Sequence, residues 1–493
     1  MNVRPSTTPL GEILTDKALA SQWNSINWHN VKCYVNRLQT RIAKATQENK
    51  LNLVKRLQYL LTHSHYAKLL AVRTVTQNRG KRTPGVDGVR WGTACDKMHA
   101  ALSLTDKHYT AQPLKRVYIP KPGKATKRPL SIPTMYDRAM QALYTLALQP
   151  AAETLADTRS FGFRLFRSAQ DASQYAFMCL ANKNAAQWIL EGDIKGCFDN
   201  ISHEWLRNNV PMDASILNQF LKAGYVYDNQ LFPTERGTPQ GGIILPLLAN
   251  MTLDGIEILL SEKYPKMKVH LIRYADDFIV TAPDKDTAEE IKETIRSFLT
   301  ERGLVFSESK TAITEMNDGF NFLGWNFRKY HGKLLIKPSK SSVDNIVEKL
   351  RNIIHQAAAW SQERLIEKLN PVIIGWSRYH RHVSSYATFH RLDAILWNML
   401  WRWAKRRHSQ KGNIWIAQKY WHSERRRNWI FMTDMNRMCL FSDTKIRRHS
   451  IPKLGLNPFL DWEYFIERQR RMKDSCSPKQ ISCISLLPPD IGL

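Results

Sequence analysis

The 493-residue chain has few cysteines and no pattern among them. They stand at 33, 95, 179, 197, 439, 476 and 483, an odd number at irregular spacings, with no C-x-x-C pair. That argues against a disulfide framework or a zinc site and points to reduced thiols in a cytosol-like compartment. No apolar run reaches the roughly 18 residues of a spanning helix, and the first ten residues lack the apolar core of a secretory leader. No internal repeat is evident. Acidic residues are scarce, 44 against 72 Lys and Arg, for a net charge of +28. A field of that sign suits polyanions, nucleic acid first and anionic membrane second.

The chain does not lack apolar residues. Hydrophobic residues make up 43% and charged residues 24%, which excludes a disordered tail protein. The length predicts two to four domains of roughly 100–200 residues each. Residues 331–493 carry 29 basic and 13 acidic residues and nine of the fifteen Trp. Basic residues interleaved with aromatics fit a surface that meets phosphates and stacks on bases, and also a helical bundle with a Trp core.

Apolar positions 51, 54, 57, 60, 61 and 69 follow the helical period and predict one helix over 51–70. A turn-rich basic loop follows at 79–88, then a β-hairpin over 113–134 and a helix through Arg138 to Leu148. A strand over 187–193 ends in Asp193. A glycine-rich turn at 236–243 runs into one apolar helix reaching about Leu260. Residues 268–281 read as a hairpin with Asp276 and Asp277 at its tip. An amphipathic helix over 284–302, short strands over 320–335, and helices near 341–358, 361–378 and 388–406 complete the pattern.

Asp276 and Asp277 lie between apolar runs, Leu271–Tyr274 and Phe278–Val280. Carboxylates held there are costly unless a cation neutralises them. With Asp193 they form the set that nucleotidyl transfer needs, carboxylates holding two Mg²⁺ ions about 3.5–4 Å apart.

Tyr274-Ala-Asp-Asp277 resembles the signature box of reverse transcriptases, and the ordered blocks around it resemble those of group II intron-encoded proteins. Arg128–Arg138, Glu191–His203, Gly237–Gly242, Gly303–Thr311 and Phe322–Trp325 resemble successive polymerase blocks. Leu369–Tyr379, Leu400–His408 and Lys419-Tyr-Trp421 resemble the maturase or thumb domain. The likeness covers roughly residues 20–470. It implies an α+β right-hand polymerase, with fingers-palm reverse transcriptase over 81–335 and an α-helical thumb/maturase domain over 336–430. An N-terminal helical extension (1–80) precedes it, and a basic C-terminal segment (431–493) follows, read either as DNA-binding or as a flexible tail.

The same resemblance assigns roles. Asp193, Asp276 and Asp277 are the expected catalytic aspartates and, with the Ile194 carbonyl, the expected Mg²⁺ ligands. Lys121 and Arg128 would hold the triphosphate. Phe198 occupies the position of the family's sugar gate. Gln240 and Gly241 would touch the template, and Phe322, Leu323 and Gly324 the primer. Lys310 would protonate pyrophosphate or bind phosphate. Cys197 is expected to pack beneath the site. His380, His382 and His390 are expected to face RNA or solvent. The tail shows no His/Cys nuclease pattern, so that module is expected to be absent.

The implied activity is RNA-directed DNA synthesis, joined to intron RNA binding, assisted splicing and mobility by target-primed reverse transcription. The implied partners are an intron lariat RNA, target DNA, an RNA template with its DNA primer, and dNTPs, with no membrane. The implied place is the cytoplasm of a bacterium, as a nucleoid-associated ribonucleoprotein, with an organelle also open. Two rival readings are a splicing factor with a vestigial polymerase and a domesticated reverse transcriptase used in defence. The complete aspartate set disfavours the first, and the maturase-like thumb disfavours the second.

Overall fold

The computed structural model describes residues 15–120, 127–238, 241–424 and 427–474. The N-terminal region is helical. Asn27 caps Trp28–Gln47, its Oδ1 accepting from the amides of His29 and Asn30. Val31, Val35, Leu38 and Ile42 then line one buried stripe. The predicted helix over 51–70 is two helices, Leu51–His63 and His65–Gln77, because Ser64 is extended (φ −70°, ψ 129°). Periodicity alone does not reveal such a break, since apolar spacing continues across it.

These helices pack on Met135–Leu155, which is capped by Thr134 and buried on almost every face. One apolar core runs from Leu19 to Phe306, so helical extension and palm are packed together.

Strands follow in chain order. They are β1 (Leu114–Pro120), β2 (Lys127–Ile132), β3 (Trp188–Gly192), β4 (Tyr225–Tyr227) and β5 (Gln230–Phe232). Then come β6 (Leu271–Tyr274), β7 (Asp277–Ala282), β8 (Ala312–Glu315), β9 (Phe320–Phe322), β10 (Trp325–Tyr330) and β11 (Lys333–Pro338). A hairpin, β12 (Trp421–Glu424) with β13 (Arg427–Phe431), lies further on. The expected β1–β2 hairpin extends to a sheet of order β2-β1-β4-β5, with β1 and β4 parallel. The palm sheet has order β6-β7-β3-β8 and is antiparallel throughout. It is buried by Lys285–Thr300 and the core helices, so Ile189, Leu190, Ile272, Ile279 and Val280 are fully enclosed.

The apolar segment after the glycine-rich turn is also two helices, Leu245–Leu253 and Ile256–Lys263. Asp254 and Gly255 break it, Gly255 taking a left-handed conformation (φ 105°) that a helix cannot continue through, and the Asp254 carboxylate pairs with a buried arginine described below. Lys340–Gln356, Gln362–His380 and Tyr386–Arg407 form the thumb around their own core, closed by Tyr420, Trp421 and Phe431. The described end of the chain returns to the palm. There Phe465 is buried against Phe166, and Arg468 and His449 both bond to Asp171 Oδ1, at 2.7 and 2.8 Å. Among the described residues, no helix is long and apolar enough to cross a membrane.

Candidate active site

Register brings the carboxylates together. Gly192 pairs with Phe278, so Asp193 leaves β3 level with Asp277 on the adjacent strand. Tyr274 pairs with Asp277, leaving Ala275 and Asp276 as a two-residue turn. Ala275 takes a left-handed conformation (φ 58°), the geometry such tight hairpins demand.

The turn is held from behind. The Phe161 amide donates to the Arg273 carbonyl at 2.8 Å, and the Arg273 amide donates to that of Arg159 at 3.1 Å. A Cβ on Gly162 would lie 2.3 Å from the Ala275 amide nitrogen, so only glycine permits this approach. The Arg273 guanidinium is fully buried in β6. It forms an ion pair with Asp254, lies 4.0 Å from Asp157, and donates to Asn250 Oδ1 at 3.2 Å. Asn250 in turn donates to the Gly162 carbonyl at 2.8 Å. Burial raises the Asp157 and Asp254 carboxyls above their ordinary range, and Arg273 opposes the rise. Removing one member of such a buried set costs about 3–5 kcal/mol. This network was not anticipated. Its one sequence signal is an arginine inside an otherwise apolar strand.

Electrostatics couple the three aspartates. Burial raises the Asp276 carboxyl, Asp193 raises it further, and Arg128 and Lys310 oppose the rise. Asp277 is pushed up to about 6 by the protein packed around it, then by Asp276 and Asp193. Its side chain still reaches solvent, which screens part of that penalty. Lys310 Nζ donates to Asp193 Oδ2 at 2.8 Å.

Ile194 faces Phe306 in an antiparallel bridge whose hydrogen bonds are made by its neighbours, Lys195 to Val305 and Ser307 to Asp193. In such a pair the central residue's own amide and carbonyl point away from the bridged strand. Among the described residues, no three His, Cys, Asp or Glu side chains converge as a metal-binding group. The donors nonetheless suit a hard divalent cation. They are carboxylate oxygens, and the burial and mutual repulsion that raise Asp276 and Asp277 are what such a cation would offset.

Phe198 is the second residue of the short helix Cys197–Asn200, and its carbonyl accepts from the Thr238 amide at 2.5 Å. It lines one narrow crevice with Asp276, Ala275, Phe163 and Cys197. Cys197 is packed there as expected, and burial pushes its thiol up to about 12. Arg128 is exposed on β2, and its charge reaches Asp276. Gly241 (φ 124°) rests on β2, where a Cβ would come within 2.2 Å of the Ser131 carbonyl oxygen. Lys121 and Gln240 lie outside the described residues.

Phe322, Leu323 and Gly324 stand apart from the carboxylates, at the β9–β10 turn on the sheet β11-β10-β9. The Leu323 carbonyl accepts from the Tyr379 hydroxyl, and that of Gly324 from the Ser339 amide, both at 2.9 Å. This joins the turn to the thumb helices. The expectation for two histidines is overturned. His380 is 1% exposed and bonded to Ser342, and both His380 and His382 pack edge-on against the buried ring of Trp325. They fill the palm–thumb junction, while His390 is exposed as expected.

Residues 119–327 match the family described as reverse transcriptase (RNA-dependent DNA polymerase). Residues 23–104 match the N-terminal domain of reverse transcriptase, and 343–421 the group II intron maturase-specific domain. The group II intron-encoded protein LtrA of Lactococcus lactis subsp. cremoris is 30% identical over 394 residues, covering 64% of this chain and 65% of that protein. Protein YkfC of Escherichia coli K12 is 30% identical over 334 residues, covering 59% of this chain and 87% of that one. Maturase-like protein 1 of Euglena gracilis is 25% identical over 384 residues, covering 73% and 78%. The chain thus spans about 65% of the length of its lactococcal relative.

Proposed function

From the premise that this chain belongs to the group II intron-encoded reverse transcriptases, we propose that it copies RNA into DNA. We propose further that it binds its intron RNA and assists its splicing. The observation that carries the polymerase reading is the meeting of Asp193 with Asp276 and Asp277 at one end of the palm sheet, under the field of Arg128 and Lys310.

In this reading Asp193, Asp276, Asp277 and the Ile194 carbonyl hold two Mg²⁺ ions. Those ions would lower the pKa of the primer 3′-hydroxyl and neutralise charge on the leaving pyrophosphate. The chain's own part is positioning. Arg128 and Lys121 clamp the triphosphate, a fork and a point charge in complementary roles. Phe198 floors the sugar. Gln240 and Gly241 contact the template, and Phe322–Gly324 set the primer end. Lys310 binds or protonates the released phosphate. The basic thumb and the 431–493 segment engage the intron RNA and a DNA target. Synthesis primed on that DNA moves the intron, in the cytoplasm of a bacterium as a ribonucleoprotein. Three matched domains in a single order and a basic, Trp-rich thumb support this reading.

The test is an Asp276→Ala variant of the full chain with circular dichroism matching the wild type. Primer extension on an RNA template should fall at least about a thousandfold, or about 4 kcal/mol. Affinity for the parent intron RNA should stay within about threefold. Retained DNA synthesis would overturn the polymerase assignment. Loss of RNA binding in step with it would overturn the separation of the two surfaces.

A further inference from the structure

Lys310 stands where a site crowded with carboxylates needs a cation. The segment that carries it folds on itself, the amides of Lys310 and Thr311 both donating to the Ser307 carbonyl at 2.9 Å. The Ser307 amide donates in turn to the Asp193 main-chain carbonyl at 2.8 Å, and Thr311 Oγ1 reaches the same oxygen at 3.5 Å. This double tether holds the lysine beside Asp193 whatever the side chain does. Nζ then lies 2.8 Å from Oδ2, a charge-assisted hydrogen bond. The Lys310 side chain is 59% exposed and that of Asp193 only 21%, so the ammonium approaches from solvent onto the more sheltered group. Its charge also reaches Asp276 and Asp277.

We propose that Lys310 is a resident counter-ion of the polymerase site, which pairs with Asp193 until an arriving divalent cation displaces it. The inference rests on the polymerase reading of Asp193. A carboxylate oxygen engaged by an ammonium is withdrawn from metal coordination. Apparent metal affinity is therefore reduced by the fraction of molecules in which the pair is formed. The ammonium is mobile once displaced, because it is half exposed and sits on a flexible four-carbon stem. The pair keeps three mutually repelling carboxylates tolerable before metal arrives, and it makes metal entry and lysine release one event.

The probe is Mn²⁺ alone, with no nucleotide or RNA, added to chelator-treated full-length protein. Free Mn²⁺ is followed by electron paramagnetic resonance. Lys310→Met should lower the dissociation constant at least threefold, and Lys310→Arg, which can keep the pair, should not tighten binding. Lys195→Met is the control for the general field. Lys195 is an exposed lysine two residues from Asp193 that makes no ion pair among the described residues, and its variant should stay within about 1.5-fold. Unchanged or weaker binding by folded Lys310→Met overturns the proposal, as does equal tightening by Lys195→Met. Asp193→Asn reports on the underlying reading. If Mn²⁺ binding ignores that change, the polymerase site itself is misassigned. If binding depends on Asp193 but not on Lys310, only the counter-ion role fails.

Discussion

A ribose 2′-hydroxyl set against the Phe198 ring would have carbon for a neighbour and no hydrogen-bond partner. Burying a hydroxyl that way costs roughly 1–3 kcal/mol, about 5- to 150-fold in rate, before any steric overlap. Phe198 lines the same crevice as Asp276, and its main-chain carbonyl is held by the Thr238 amide and hydroxyl. Phe198→Ala should therefore raise ribonucleotide incorporation much more than it changes deoxynucleotide incorporation. Single-nucleotide extension with matched dNTP and rNTP measures the ratio of the two efficiencies. A ratio within about threefold of wild type in an active variant would remove Phe198 from sugar selection. At this scale the sequence was informative where chemistry is local. A carboxylate pair inside an apolar hairpin can be read because burial without a cation is costly. Arg273, Asp157, Asp254 and Asn250 could not be read as a set, because only Arg273 stands out in its strand and its partners lie 19 to 116 residues away.

Among the elements, the palm–thumb junction carries the most chemical information. Trp325 begins β10, is fully buried, and stacks on Tyr379 of the thumb at 4.7 Å. His380, pushed down to about 3 by burial and then by His382, completes that junction. Burial first, then His449, also depresses His382, to about 4. Both folded values lie below the ordinary value of 6.5, so the unfolded chain takes up protons that the folded chain refuses. The stabilisation from neutral histidine is complete above pH about 6.5 and is lost as pH falls from there toward the folded values. The slope is about 1.4 kcal/mol per pH unit for each residue. His380→Gln should weaken the fold at pH 7.5. It should also make the further loss between pH 7.5 and 5.0 shallower, by up to about 2 kcal/mol. Denaturant melts of both proteins at the two pH values test this, and parallel losses would show that His380 does not titrate as a buried group. Reading these histidines as RNA-facing failed for a physical reason. Helix periodicity marks a basic face, but only the strand pair β9–β10, more than fifty residues earlier in the chain, determines that this stretch is covered. The β1–β2 and β6–β7 hairpins, β3 and β9–β11 were legible because alternation and turn residues are local, whereas β4, β5, β8, β12 and β13 were not predicted. Ser64 and the Asp254–Gly255 pair broke two predicted helices, the first by an extended residue and the second at a left-handed glycine.

At the scale of the whole molecule, the excess of positive charge is distributed with a purpose that packing can sort. Arg407 ends the Tyr386–Arg407 helix but donates to the carbonyls of Ala358 and Trp360, both at 2.8 Å, and lies over the Trp403 ring. Arg468 in the C-terminal segment is held by the buried carboxylate of Asp171. Arg468 is a structural cation, unavailable to phosphate without undoing that contact, whereas Arg407 is exposed and spends one guanidinium nitrogen on the thumb's own backbone. Arg402, Lys405 and Arg406 differ. They share the last turns of the same helix and are exposed, while Trp403 and Ala404 between them face the thumb core. If that face meets RNA, log affinity for the intron should fall linearly with log salt, each neutralised phosphate contributing roughly 0.7–0.9 to the slope. Replacing Arg402, Lys405 and Arg406 with Gln should then weaken binding and flatten the slope by about 2–3. Arg407→Gln should instead lower thermal stability and leave the slope nearly unchanged. Filter binding over a tenfold range of salt separates these outcomes. An unaltered slope in the triple variant would move the RNA interface off this helix, and a flat plot for the wild type would show that phosphate contacts do not dominate recognition.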